Sequence, residues 1–316
     1  MRSVSIVEVA PRDGFQAVKS LIPTDRKIAV VEALAAAGFG RMEIGAFVSP
    51  KALPQMADIR EVLTRSRLPK DMRLQVLVPN GKGIHAALDA GVREISWVVS
   101  VSESHNQSNV RRSVDDSFQD FERTWPDLGK GLFLRFNLAT AFDCPFEGRT
   151  REEHVIRLVE RVLETVTEVE LAICDTTGRA APNHVHAMFE MLHNRYRLPG
   201  VTFAFHGHDT YNLGVANAIA AYEAGVRVID GAAAGLGGCP FAPGASGNTA
   251  SEDLVFAFEH MGVATGVDLA KLLPAADLSR AVAPEQAGGR IQHVPRRRAL
   301  SGFGSATMGF PGDNCA

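Results

Sequence analysis

The sequence predicts an α/β fold, a (β/α)₈ TIM barrel that is extended by one C-terminal helix and a tail. Eight short apolar runs alternate with amphipathic segments along the 316-residue chain, and such strict alternation indicates a parallel sheet. Eight strand–helix units favour closure into a barrel. The alternative is an open doubly wound sheet, which is weakened because no G-x-G-x-x-G motif follows the first strand.

The predicted strands are the short apolar runs. They are Ser5–Val9, Arg41–Gly45, Arg73–Val78, Glu94–Ser100, Leu132–Leu138, Glu168–Ile173, Val201–His206 and Val226–Asp230. Thr24 is predicted to be the N-cap of the first helix, which Gly38 ends. Thr150 and Glu153 are predicted to form a capping box before the helix that follows the fifth strand.

One more helix, near Val267–Leu278, lies outside the eight units. After residue 283 the periodic pattern gives way to Gly, Pro, Arg and Ser. We therefore expect residues 1–283 to form the catalytic barrel with its appended helix. Residues 284–316 should form a partly mobile tail.

The composition excludes several functional classes. A net charge of −3 with 22% charged residues is too close to neutral for a protein that binds nucleic acid or a membrane surface. The four cysteines have no paired spacing, which argues against a disulfide scaffold or a zinc cage. The chain has neither an apolar signal segment nor a run of about 18 apolar residues. We therefore expect a cytoplasmic protein.

The motif H-G-H-D ends the seventh predicted strand. Residues two apart share one face of a strand, so His206 and His208 should both face the barrel mouth. There they are close enough to chelate one ion. The alternative is a hydrogen-bonded polar pair without a metal. His184 and His186 have the same spacing on a predicted helix, which turns them apart, so we expect surface histidines there.

Charged residues also follow other strands, where a barrel places its active site. Asp13 could be a metal ligand, and Arg12 could hold charge on a developing oxyanion, although Asp-Gly is also a common turn pair. Glu43 ends the second strand and could support Arg12 or form a structural ion pair. Asp175 ends the sixth strand and could be an acid–base group or a helix cap.

The glycine-rich loop 235–248 follows the eighth strand, as a catalytic lid would. Its Cys239 could donate or accept a proton, and Asn248 could offer an amide oxygen to a metal. Asp13, His206, His208 and Asn248 would thus meet at one rim. Mixed nitrogen and oxygen ligands favour Mg²⁺ or Mn²⁺ over structural zinc.

Five motifs together resemble 3-hydroxy-3-methylglutaryl-CoA lyases, which belong to a metal-dependent TIM-barrel superfamily named for a shared Asp, Arg and Glu. The motifs are V-E-V-A-P-R-D-G-F-Q, F-V-S-P-K-x-x-P-Q-M, C-D-T-T-G, H-G-H-D-T-Y and G-L-G-G-C-P-F-A-P-G-A-S-G-N. The resemblance implies cleavage of this acyl-CoA to acetyl-CoA and acetoacetate, usually in leucine breakdown. It also implies a homodimer.

The resemblance assigns roles to particular residues. It implies a divalent cation, Mg²⁺ or Mn²⁺, on Asp13, His206, His208 and Asn248. It implies catalytic roles for Arg12, Cys239, Asp175 and the supporting Glu43. The residues expected to contact the substrate are Arg12, Gln16, Thr176 and Asn137.

Two departures leave the acyl group open. Asn137 lies in the segment where the family usually has a Tyr-x-Ser-Cys-like stretch, and Ala52 replaces its usual tryptophan. Citramalyl-CoA or another branched 3-hydroxyacyl-CoA is therefore an alternative substrate. A condensing acyltransferase of the isopropylmalate or homocitrate synthase type is a second alternative, but such enzymes lack the loop cysteine. A non-catalytic barrel that binds CoA or metal would have lost one of the site residues, and none is lost.

Overall fold

Eight parallel strands close into a barrel in the computed structural model of the chain, which describes residues 2–238, 247–286 and 288–302. Neighbours around the barrel follow chain order from β1 to β8, and β8 pairs with β1. The strands are β1 Ser5–Glu8, β2 Arg41–Ala46, β3 Arg73–Leu77, β4 Glu94–Ser100, β5 Phe133–Ala139, β6 Val169–Asp175, β7 Val201–Gly207 and β8 Val228–Gly231. The predicted (β/α)₈ barrel is confirmed.

Helices follow every strand and form the outer layer. They are α1 Thr24–Ala36, α2 Ile59–Arg65, α3 Gly81–Asp89, α4 Glu103–Val110, α5 Val114–Leu128, α6 Glu152–Thr165, α7 Pro182–Arg195, α8 Gly214–Glu223, α9 Ser251–His260, α10 Leu269–Val282 and α11 Arg296–Ala299. Both α4 and α5 follow β4. Helix α10 is the predicted additional helix, and it packs against α1. Among these helices none has both the length and the apolar character that crossing a membrane requires.

The ends of α1 and α6 show which local signals were reliable. Gly38 ends α1 with φ of +101°, a left-handed conformation that glycine adopts at low cost. The two predicted N-terminal caps are wrong. Thr24 is the first residue of α1, and its hydroxyl donates to Asp58 Oδ2 at 2.8 Å. The Thr150 hydroxyl donates to the carbonyl of Thr140 at 2.7 Å, and α6 begins without a side-chain cap.

Charged side chains fill much of the barrel interior. Arg41 contacts Glu94 at 2.8 Å and Glu170 at 2.7 Å, and Arg135 contacts Asp230 at 2.8 Å. Strands β2 and β6 are not neighbours, so the pair between Arg41 and Glu170 crosses the interior. Buried ion pairs pay a desolvation cost, which makes this network weak evidence for stability. It does fix side-chain directions beneath the barrel mouth.

Residues 288–302 pack on the barrel. The backbone N–H groups of Arg290 and Ile291 each donate to the Asp253 carboxylate at 2.8 Å, and Gln292 donates to Glu252 at 2.6 Å. The Gly288 N–H donates to the carbonyl of Ala234 at 2.8 Å. Residues 288–292 are therefore tied to α9 and to the base of the loop after β8, whereas the composition after residue 283 predicted a partly mobile tail.

Candidate active site

Three potential metal ligands meet at the C-terminal end of the barrel. One ligand atom from each of Asp13, His206 and His208 lies within 4.8 Å of the other two, and all three residues are buried. Asn248 joins them, since its amide nitrogen donates to Asp13 Oδ2 at 2.7 Å. The four residues predicted as metal ligands are thus brought together by β1, β7 and the segment before α9.

A wide helical turn after β1 presents Arg12 and Asp13. The turn spans Ala10–Gly14, and the N–H groups of Asp13 and Gly14 both donate to the carbonyl of Val9, at 2.8 and 3.4 Å. Such wide turns are rare in proteins, and those that occur are often found at functional sites. The turn keeps the side chains of Arg12 and Asp13 at the barrel mouth, so Arg-Asp-Gly is more than an exposed surface turn.

The alternation of β7 places its two histidines together. The rings of His206 and His208 are 5.3 Å apart, whereas Phe205 packs on Phe189 of α7 at 6.0 Å. Backbone pairing between His208 and Asn248 then holds the amide beside the imidazoles. Gly237 makes room for this amide, because a Cβ there would lie 2.3 Å from Asn248 Nδ2.

The residues present fit a bound cation. Asn248 Oδ1 and His208 Nδ1 are buried and lack a hydrogen-bond partner among the described residues, a costly arrangement unless a ligand or ion compensates. Burial would raise the pKa of Asp13, but Arg12, the histidines and Asn248 outweigh it and hold that pKa at about 2. Burial lowers the pKa of His208 to about 4. An ionised carboxylate and a neutral imidazole are the forms that bind metals.

Arg12 is fixed between two carboxylates. Its Nε lies 2.5 Å from Glu43 Oε2, and its Nη1 lies 2.5 Å from Asp13 Oδ1. Burial opposes the charge of Arg12, but Glu43 and Asp13 outweigh it and raise the pKa of Arg12 above its usual value. Arg12 is therefore a permanent, preoriented cation beside the candidate metal site, and Glu43 is its partner, as predicted from the sequence.

A cavity of about 150 Å³ adjoins these groups. The predicted substrate contacts Arg12, Gln16, Asn137 and Thr176 all line it. Its remaining walls include residues that the sequence did not single out, and among these are His105, Asn109, Cys174, Leu77 and Val98.

His105 is one of the polar wall residues that the sequence did not single out. Its Nδ1 lies 2.7 Å from the Ser100 hydroxyl, and burial lowers the pKa of His105 to about 4. The ring is therefore neutral near pH 7. It lies on α4, after β4, across the barrel mouth from β1 and β7. The general location of active sites beyond barrel strands could have indicated it.

The remaining residues that the sequence singled out are Asp175, Cys239 and His184. Asp175 is buried, and its two oxygens accept the N–H groups of Arg179 and Ala180 at 3.1 Å each, so it caps the loop after β6. Cys239 lies outside the described residues. His184 is not a surface histidine, because its side chain is 15% exposed and packs edge-on against Phe142 at 5.1 Å.

Asp230 was missed by the sequence reasoning. It is the third residue of β8, which reads V-I-D-G, and its Oδ2 lies 2.9 Å from Nδ1 of His206 and 2.8 Å from Nη2 of Arg135. The signal was available, since the same position at other strand ends had indicated Glu43 and Asp175.

Two curated proteins are similar to this chain over most of its length. The chain is 39% identical over 288 residues to the (R)-citramalyl-CoA lyase of Chloroflexus aurantiacus. The matched region covers 88% of this chain and 90% of that protein. It is 40% identical over 276 residues to the hydroxymethylglutaryl-CoA lyase YngG of Bacillus subtilis, which covers 87% of this chain and 91% of that protein.

Solved structures show the same relationship. The HMG-CoA lyase of Bacillus subtilis superposes with a TM-score of 0.87 at 38% identity, over 93% of this chain and 98% of that one. An HMG-CoA lyase from Acinetobacter baumannii in complex with coenzyme A and 3-methylmalate gives a TM-score of 0.85 at 39% identity, over 92% and 95% of the two chains.

The HMGL-like family model matches residues 3–278, which include β1 to β8 and every candidate metal ligand. Since the relatives that cover most of the chain are carbon–carbon lyases, the chain belongs to the HMGL-like family of divalent-metal-dependent enzymes and is itself a carbon–carbon lyase.

Proposed function

We propose that the chain cleaves 3-hydroxy-3-methylglutaryl-CoA, or a close 3-hydroxyacyl-CoA, to acetyl-CoA and a keto acid, which is acetoacetate for the first substrate. One observation carries the proposal. Asp13, His206 and His208 form a candidate metal site, and the fixed cation Arg12 lies beside it on the wall of one cavity. This arrangement suits a reaction that ionises a hydroxyl group and leaves negative charge on a thioester oxygen.

The cleavage is a retro-Claisen step. The tertiary hydroxyl loses its proton, the bond between C2 and C3 breaks, and its electron pair passes into the thioester as an enolate, which then takes up a proton at C2. A divalent cation bound to Asp13, His206, His208 and Asn248 would supply Lewis acidity that lowers the pKa of the hydroxyl. Arg12 would stabilise the enolate oxygen, because its orientation is set before the charge develops.

We assign the proton transfers to Cys239 rather than to Asp175. Burial raises the pKa of Asp175 to about 7, but both of its oxygens accept backbone N–H groups. These contacts suit a carboxylate that shapes the loop carrying Thr176. Cys174 lines the cavity, but burial raises the pKa of its thiol, so it stays protonated and is a poor base.

Coenzyme A requires a longer site than the 150 Å³ cavity. A second cavity of about 390 Å³ lies over the ends of β2 and β3, and Arg60, Asn80 and Lys82 are among its lining residues. Its cationic groups suit the phosphates of a CoA thioester. We propose that the acyl group enters the first cavity and that the nucleotide lies toward the second.

Citramalyl-CoA is the second candidate substrate. The (R)-citramalyl-CoA lyase relative is as similar to the chain as the HMG-CoA lyases are. In addition, Asn137 gives the cavity an amide where the family usually has a Tyr-x-Ser-Cys-like stretch. This amide is fixed, because its nitrogen donates to the Ser96 hydroxyl at 2.7 Å and to the Trp97 carbonyl at 3.0 Å.

A substrate panel tests the proposal. The purified chain would be incubated with HMG-CoA, (R)- and (S)-citramalyl-CoA and 3-hydroxybutyryl-CoA, each with Mg²⁺, Mn²⁺ or EDTA. We expect metal-dependent release of acetyl-CoA from one of the tertiary substrates and none from 3-hydroxybutyryl-CoA, whose cleavage would yield an aldehyde. Consumption of acetyl-CoA in the presence of a keto acid, without release in the forward assay, would instead indicate a condensing enzyme.

A further inference from the structure

We propose that Asp230 is a positioning residue for the metal site, and that it fixes the ring orientation and tautomer of His206. The inference rests on the proposed metal site, but it does not depend on which acyl-CoA is the substrate.

The contact geometry supports this role. Asp230 Oδ2 lies 2.9 Å from His206 Nδ1, and the Asp230 side chain is only 5% exposed. A carboxylate at this position accepts the Nδ1–H, which leaves Nε2 unprotonated as the ligand atom. Histidines that bind metals usually donate their second N–H to such an acceptor, which orients the ring and raises the basicity of the ligand nitrogen.

Asp230 is held in turn from the barrel interior. Its Oδ2 also lies 2.8 Å from Nη2 of Arg135, whose Nη1 lies 3.3 Å from Glu170 and whose Nε donates to Asn137 Oδ1 at 3.2 Å. Strands β5 and β8 are not neighbours in the barrel. Arg135 therefore bridges the interior and connects the support of a metal ligand with Asn137 on the cavity wall.

The competing explanation is that Asp230 serves only as a counter-ion for Arg135. Glu170 allows the two explanations to be separated, because it also pairs with Arg135 but, among the described residues, neither contacts His206 nor lines the first cavity. A charge lost at Glu170 also removes a carboxylate from Arg135, and from Arg41, which contacts the same group at 2.7 Å, and it leaves His206 with its acceptor. Glu170→Gln is therefore the matched control for Asp230→Asn.

The test is Mn²⁺ binding to the full chain, measured by electron paramagnetic resonance of free Mn²⁺ and by calorimetry. We expect Asp230→Asn to weaken Mn²⁺ binding by about 10- to 100-fold, with a wild-type circular dichroism spectrum. Glu170→Gln should stay within about threefold of the wild type, a change well below the range expected for a lost ligand support. Unchanged affinity in Asp230→Asn would overturn the inference, as would an equal loss in both variants.

A measurement on the wild type keeps the inference testable if Asp230→Asn does not fold. In protein loaded with Mg²⁺, nitrogen-15 spectra of the imidazoles should show His206 with a proton on Nδ1 and none on Nε2. A proton on Nε2 would overturn the inference. Failure of the wild type to bind any divalent cation would instead overturn the proposed function, and the positioning role with it.

Discussion

Replacement of Arg12 by glutamine should cause both a catalytic loss and a loss of stability. Arg12 and Glu43 form a contact of 2.5 Å with side-chain exposures of 14% and 2%. Removing one partner of such a buried pair leaves an uncompensated charge and costs about 3–5 kcal/mol of stability. Loss of a preoriented donor to a developing oxyanion separately costs about 10²- to 10³-fold in kcat. A single substitution would show both losses at once.

The double variant R12Q/E43Q separates the loss of stability from the loss of turnover. Two neutral amides can replace the ion pair, so the free energy of unfolding should recover much of what R12Q loses. Turnover should stay about 10²- to 10³-fold below the wild type, because the cation is still missing. The assays are denaturant unfolding and initial rates of acetyl-CoA release, with kcat and KM measured separately. Recovery of kcat in the double variant would refute the catalytic assignment and leave Arg12 as a structural partner of Glu43.

Three further predictions concern the metal ligands, the loop and a buried acid. Gly237→Ala should weaken Mn²⁺ binding, because the added Cβ would lie 2.3 Å from Asn248 Nδ2 and Gly237 has φ of +117°; wild-type affinity by calorimetry would contradict this. Cys239→Ser should lower kcat by orders of magnitude while calorimetry shows Mn²⁺ still bound, and near-normal turnover would show that the thiol is dispensable. Burial raises the pKa of Glu252 from 4.5 to about 8, so its stabilising effect is full below pH 4.5 and is lost as the pH rises through about 8. The free energy of unfolding of Glu252→Gln, relative to that of the wild type, should therefore increase between pH 5 and pH 9. The increase should be at least about 1.4 kcal/mol, because each tenfold change in proton affinity is worth that much. Parallel curves of melting temperature against pH for the two proteins would contradict this prediction.

The fold and the metal cluster were predictable because local periodicity determines them. Side chains alternate between the two faces of a strand, and the strand ends of a barrel share one rim. The sequence alone therefore predicted that His206, His208 and Asp13 lie together. Their ligand atoms lie within 4.8 Å of one another in the structure, as that reasoning predicts. Strand alternation also placed Phe205 on the helix side of β7, where it packs on Phe189.

Contacts between distant segments were not predictable in the same way. Thr24 and Thr150 fit the pattern of helix caps, but their hydroxyls find acceptors on Asp58 and Thr140. The local sequence around a hydroxyl does not determine which acceptor it will donate a hydrogen bond to. The docking of residues 288–292 likewise depends on Glu252 and Asp253, which lie about 40 residues earlier in the chain.

The interior charges were missed for a related reason. Strands in a parallel barrel are buried on both faces, so their sequences show apolar runs. In such a run the sequence does not show on which face of the strand an isolated Arg135 or Glu170 lies. The ion pairs among Arg41, Glu170 and Arg135 become visible only when the barrel closes. Asp230 also pairs with Arg135, but it differs from these residues because its position near the end of β8 was a signal that could have indicated it.

We propose that one divalent cation, which the lyase reaction requires, binds to Asp13, His206, His208 and Asn248. A calorimetric Mn²⁺ titration of the wild type and of His208→Ala, run alongside the acetyl-CoA release assay, tests it most directly. We expect one Mn²⁺ per wild-type chain, and loss of both the binding and the activity in His208→Ala. Full Mn²⁺ stoichiometry in His208→Ala, or undiminished wild-type cleavage in EDTA, would contradict it.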